Sequence, residues 1–224
     1  MIDSSPMYGS SQSVIGYALA KLKPTSLFAA DKVWTSSGSE GRAQIEETRR
    51  RWGVSRLDLV QVHNLLNWEQ HLATLLALKA EQRIRYVGIT TSEGRRRDEI
   101  ERVMRSHRVD FVQVTYNAAD RDVERRILPL AADRGIGVIV NRPFRQGELT
   151  ESLRRHPLPA WAREVDCTSW AQLLIKFIVS HPTITCAIPA TTSVAHVREN
   201  LVAATGRMPD ESLRARIAAQ VARL

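Results

Sequence analysis

Leu57-Asp58-Leu59-Val60-Gln61-Val62-His63-Asn64 is a short run, apolar at 57, 59, 60 and 62, that closes on His63 and Asn64. A strand with one wet face alternates apolar and polar residues, whereas a run apolar at nearly every position suits a parallel strand covered by helices on both faces. Working outward from it, six comparable runs complete a set of seven: Met1 to Asp3, Leu27 to Trp34, Arg85 to Thr90, Phe111 to Tyr116, Gly137 to Asn141 and Thr185 to Pro189. Helical patterns fill the gaps, at residues 11–22, 39–52, 68–81, 95–107, 120–134, 169–179, 194–204 and 210–222. Ser39 to Gly41 and Thr191 to Ser193 supply helix starts, and Gly53, Gly135 and the region of Pro182 supply stops.

Strand followed by helix, repeated, gives either an open doubly wound sheet or a (β/α)₈ barrel. The open dinucleotide-binding sheet carries Gly-x-Gly-x-x-Gly in its first turn, and no stretch here matches it. Polar, reactive side chains instead stand at the ends of several strands: Asp3 to Tyr8, Lys32, His63, Thr90 with Thr91, and Gln113. Barrel active sites are assembled there, so a TIM barrel is expected, with residues 1–224 as its single domain.

Composition is ordinary for a globular chain, with 43% hydrophobic and 25% charged residues. The net charge of +8 comes largely from arginine clusters such as Arg49 to Arg51 and Arg95 to Arg97. They lie beside glutamates at helical spacing without interleaved aromatics, which reads as solvated helix faces and not as a nucleic-acid surface. Cys167 and Cys186 lack the spacing of a metal or redox motif and are expected in the core; no metal is expected. No apolar run approaches the ~20 residues of a membrane span, and no export signal is visible, so a cytoplasmic location and no membrane partner are expected.

The strand-end residues form a chemically coherent set. An ammonium near a tyrosine favours the phenolate, so Lys32 can tune Tyr8; Asp3 can hold the lysine charged and aimed; His63 can hydrogen-bond a carbonyl oxygen. Such a set suits carbonyl reduction, with a proton for oxygen and hydride from elsewhere. Taken singly, each has a plainer account: a loop lysine, a turn at Asp3 and Ser4, a turn at Tyr8-Gly9, a satisfied buried histidine. Their placement after three successive strands favours the joint reading.

Ile-Asp-Ser-Ser-Pro-Met-Tyr-Gly (2–9), Asp-Lys-Val-Trp (31–34), Leu-Asp-Leu-Val-Gln-Val-His-Asn (57–64), Val-Gly-Ile-Thr (87–90), Gln-Val-Thr-Tyr-Asn (113–117) and Ile-Pro-Ala-Thr-Thr-Ser-Val-Ala-His-Val-Arg-Glu-Asn-Leu (188–201) resemble, in order, the aldo-keto reductase superfamily. The resemblance implies an NADPH-type reductase of aldehydes or ketones, with Tyr8 as general acid, Lys32 lowering its pKa, Asp3 paired to Lys32 and His63 orienting the carbonyl. It also implies Thr90, Thr91 and Gln113 at the nicotinamide carboxamide, Glu199 and Asn200 at the adenine, and Thr191 and Ser193 near the adenosine phosphate.

Asn141 stands where many members stack an aromatic ring on the nicotinamide, and Arg142 beside it is a candidate phosphate or carboxamide contact. Ala190 and His196 stand where many members grip the 2′-phosphate, with Arg198 close by, so NADH is an alternative to NADPH. Met1 falls at the start of the family's second strand, so a short member lacking the first strand-helix unit is expected, unless the gene starts upstream. An open seam between the strands at 1–3 and 185–189 would then favour self-association. The other readings are a non-catalytic nucleotide-binding barrel, acting as redox sensor or regulatory subunit, and an inactive truncated reductase. The Leu65 to Trp68 stretch and the surroundings of Trp161 are candidate walls of an apolar substrate pocket.

Overall fold

The computed structural model describes residues 1–224. Seven strands form one sheet in chain order: β1 (Ile2–Asp3), β2 (Ala29–Val33), β3 (Leu57–Val62), β4 (Ile84–Thr90), β5 (Phe111–Thr115), β6 (Gly137–Asn141) and β7 (Ile184–Ala187). The sequential order and the helices between strands are those of a (β/α) barrel, with seven strands where the closed form has eight. The helices are α1 (Ser11–Leu22), α2 (Gly41–Trp52), α3 (Trp68–Ala80), α4 (Arg97–Ser106), α5 (Ile127–Arg134), α6 (Glu148–Leu153), α7 (Trp170–Val179), α8 (Val194–Val202) and α9 (Glu211–Arg223). No helix is long and apolar enough to cross a membrane.

The chain divides into two compact units, Met1–Thr91 with Arg96–Val112, and Ser92–Arg95 with Gln113–Leu224. In the first, β1 to β4 pair in parallel. All of β2 is buried, Asp31 and Lys32 included, as are five of the six residues of β3, as suits parallel strands covered on both faces. Leu57, Leu59, Val60 and Val62 are buried, as are Leu72, Leu75 and Leu78 of α3 and Ile100, Val103 and Met104 of α4. Each fully buried aliphatic side chain of this kind contributes about 1.5–3 kcal/mol. The register sets Lys32 beside Gln61 and Gln61 beside Gly88, so a layer across three strands carries two polar side chains and a glycine against which Gln61 packs closely. In the second unit, β6 pairs in parallel with β7, and Val138, Ile139, Val140, Leu173, Leu174, Phe177 and Ile217 are buried. Helix α9 is tied in by Arg214, which donates to the Phe177 carbonyl (2.8 Å) and to the Tyr116 hydroxyl (2.7 Å).

Several expectations need adjustment. The helix expected over 120–134 is a 3₁₀ turn at Asp122–Glu124 followed by α5. Pro129 has no N–H to continue a preceding helix, so it is accommodated in the first turn of a new one. Ser39 does not cap α2, whose flanking residue is Glu40; Ser193 does cap α8, accepting from the His196 N–H. Gly53 and Gly135 end α2 and α5 in left-handed conformations at φ 64°, which glycine adopts without strain. Short helical turns at Arg145–Leu153 and Ala160–Val165 had no strong periodic signal. Cys167 is buried, but Cys186, on β7, is only half-buried. The arginine clusters lie along helix surfaces in pairs such as Arg49–Glu46, Arg50–Glu47, Arg96–Glu99 and Arg105–Glu101.

Candidate active site

Asp3 ends β1, Lys32 lies on β2 and His63 follows β3, so the first unit gathers all three from successive strand ends, with Tyr8 on the loop after β1. Lys32 Nζ donates to Asp3 Oδ2 at 2.5 Å and to the Ser4 carbonyl at 2.8 Å. Both side chains are almost wholly buried, 1% and 4% exposed, so the ion pair is shielded from water and from salt. The ammonium lies 5.1 Å from the centre of the Tyr8 ring, and the Tyr8 and His63 rings meet edge to face at 5.5 Å. Tyr8 is 43% exposed, which leaves it open to a substrate.

The electrostatics refine the expectation for Tyr8. Burial raises its pKa above the ordinary value of 10.0; the Lys32 charge pulls downward, and the Asp3 charge pushes up again. Lys32 thus acts in the expected sense, but partial burial outweighs it, and the phenol is protonated at neutral pH. Burial, reinforced by the Lys32 charge, lowers the pKa of His63 to about 4, so its imidazole is neutral. A protonated phenol beside a cation that can stabilise the phenolate, next to a neutral imidazole, is equipped to give a proton to a carbonyl oxygen.

The turn at His63 is held on several sides. Asn64 and Leu65 have φ of 52° and 54°, a left-handed conformation unusual for leucine. The Asn64 N–H donates to Thr90 Oγ1 at 2.9 Å, and Arg96 Nη1 donates to the Asn64 and Leu65 carbonyls at 2.8 Å each. Two side chains of this layer were not singled out in the sequence. Gln61 Nε2 donates to Asp3 Oδ1 at 3.3 Å, and Ser5 Oγ lies 2.7 Å from His63 Nδ1. Gln61 precedes His63 by two strand positions and Ser5 follows Asp3 by two, so a period-two scan from each polar strand end is the signal that finds them.

Thr90 and Thr91 are both buried at the end of β4. In the second unit, Gln113 is buried on β5 with its Oε1 lacking a hydrogen-bond partner, while Thr115 donates to Asn141 Oδ1 at 2.6 Å. Arg142 is ion-paired with Glu93, and its Nε donates to Ser92 Oγ at 2.7 Å. Thr191 Oγ1 accepts the Ser193 N–H at 3.1 Å, shaping the entry to α8, on which Glu199 is half-buried and Asn200 buried. Trp68 turns its indole N–H to Glu99 Oε1 (2.9 Å) and stacks edge-on against His107, and Trp161 lies under the Arg216 guanidinium.

The chain is 26% identical to the NADH-specific methylglyoxal reductase of Escherichia coli K12, over 94% of this chain and 80% of that protein. It is 27% identical to methylglyoxal reductase YeaE of the same organism, over 89% and 72%. Among solved structures, an aldo/keto reductase from Klebsiella pneumoniae in complex with NADP and acetate superposes with a TM-score of 0.79 at 26% identity, covering 99% of this chain and 78% of that one. The holo form of aldo-keto reductase AKR11C1 from Bacillus halodurans gives 0.77 at 21% identity, over 98% and 81%, and so shares the fold. The sequence profile described as "Aldo/keto reductase family" matches residues 1–219, nearly the whole length, and the chain belongs to that family.

Proposed function

We propose that this protein reduces a small aldehyde or ketone to the alcohol with NADPH or NADH, Tyr8 giving the proton. The observation that carries this reading is the packing of the Asp3–Lys32 ion pair against the Tyr8 ring, with neutral His63 at its edge. The phenol protonates the carbonyl oxygen, and the buried Lys32 ammonium stabilises the phenolate left behind. Asp3, itself braced by Gln61, keeps that ammonium in place, and His63 orients the carbonyl by hydrogen bonding. Methylglyoxal, named for two relatives, is the first substrate to test.

A reduced nicotinamide, when bound, supplies the hydride. Gln113 fits such a group: a buried amide oxygen without a partner suits the carboxamide N–H of a nicotinamide. The resemblance adds Thr90 and Thr91 toward a carboxamide, Thr191 and Ser193 toward a phosphate, and Glu199 and Asn200 toward the adenine; Asn141 replaces the aromatic that many members stack on the nicotinamide, and Arg142 is a candidate phosphate or carboxamide contact. Arg142 would have to share its guanidinium with Glu93. NADPH and NADH titrated separately, by quenching of tryptophan fluorescence, and then mixed with methylglyoxal test the reading. Binding followed by oxidation of the cofactor and formation of the alcohol is the expected result. Binding without oxidation would favour the non-catalytic nucleotide-binding reading, and no binding would overturn the assignment for this chain.

A further inference from the structure

Ser5 is fully buried, and its hydroxyl oxygen accepts the Met7 N–H at 3.2 Å and lies 2.7 Å from His63 Nδ1. A serine hydroxyl has one proton and two lone pairs. If Nδ1 carried the imidazole proton, Ser5 Oγ would accept from both Met7 and His63, and its own proton would be buried without an acceptor, at a cost of about 1–3 kcal/mol. With Ser5 donating to Nδ1, every one of these groups is satisfied, and the imidazole proton must sit on Nε2. Burial and the Lys32 charge keep the ring neutral, so the two tautomers are the alternatives that matter. The Ser5 carbonyl also accepts the Tyr8 N–H at 3.0 Å, so one residue fixes the backbone of the acid and the ring beside it.

We propose that Ser5 is a positioning residue that donates its hydroxyl proton to Nδ1 of His63 and so holds the imidazole in the Nε2–H tautomer, presenting Nε2–H to the substrate carbonyl oxygen. The last clause rests on the carbonyl-reductase reading; the tautomer itself does not. No covalent step is added: Ser5 only decides which ring nitrogen is the donor.

The test is a long-range ¹H–¹⁵N correlation spectrum of the full chain labelled on histidine, with the His63 signals identified by their loss in His63→Asn. The wild type should show Nε2 protonated and Nδ1 bare. Ser5→Ala should shift His63 toward a mixture of tautomers and lower kcat about tenfold, the worth of one hydrogen bond in a transition state, with cofactor affinity unchanged. Ser5→Cys, which fills the same space with a weaker donor, should fall between, and serves if the alanine variant does not fold. A wild-type spectrum with the proton on Nδ1, or a tautomer unmoved in the folded variants, overturns the proposal even if the enzyme turns over. The expected tautomers in a protein that oxidises no cofactor would instead leave Ser5's role standing and remove the reductase reading.

Discussion

Asp31 lies on the opposite face of β2 from Lys32, between α1 and α2, where Gln12 Nε2 donates to its Oδ2 at 2.7 Å while its Oδ1 has no partner. Burial raises its pKa from 3.8 to about 6, despite the bonds from its neighbours. The folded state therefore holds a proton that the unfolded chain has released, and stability falls as pH rises from 3.8 to about 6. His63 has the reverse sign: with a folded value of about 4 against 6.5, it makes stability rise with pH across that range. The two slopes oppose each other between about 4 and 6. Asp31→Asn should raise stability by about 1–3 kcal/mol at pH 8, where the buried charge is fully developed, and have little effect near pH 3.5. It should also leave the His63 slope unopposed; urea titrations across the pH range check both points. Asp3, Tyr8, Lys32 and His63 could be singled out because they are reactive side chains at or just after the ends of three successive strands. Ser5 and Gln61 were not, because serine and glutamine are ordinary loop and strand residues until pairing between strands fixes what they touch.

The β3–β4 pair shows what an element adds to its residues. Gly88 lies in register with Gln61, and a Cβ there would come within 2.8 Å of Gln61 Cγ and 3.0 Å of the Phe111 carbonyl. Gly88→Ala should therefore push Gln61 off Asp3 and cost about 1–3 kcal/mol by overpacking, measured by denaturant unfolding. The turn after β3 depends likewise on a residue far along the chain. Arg96→Ala removes two bonds to the left-handed Asn64 and Leu65, and should lower the catalytic rate more than it weakens cofactor binding, by about tenfold. Element types were readable because periodicity distinguishes buried parallel strands from helices. Their ends were less so: the division of 120–134 turns on Pro129, and the turns at 145–153 and 160–165 are too short to show a period.

Two helices of the molecule carry exposed apolar residues at helical spacing: Val14 and Tyr17 with Leu22 on α1, and Val194, Val197 and Leu201 on α8. Contiguous exposed apolar residues promote association, so the apparent mass in sedimentation should rise with protein concentration, and Val14→Lys with Tyr17→Lys should reduce that rise. A mass independent of concentration would contradict this. The order of elements along the chain was legible because each strand-helix unit is local; the neighbours of these surfaces were not, because a pattern on one helix does not name what covers it. The central claim, that Tyr8 is the proton donor of a carbonyl reductase, is tested most directly by comparing Tyr8→Phe with the wild type in the oxidation of NADPH or NADH by methylglyoxal. The account predicts turnover in the wild type, a loss of about 10²–10⁴-fold in the variant, and nearly equal cofactor affinity in both. Equal turnover by the two proteins would contradict it.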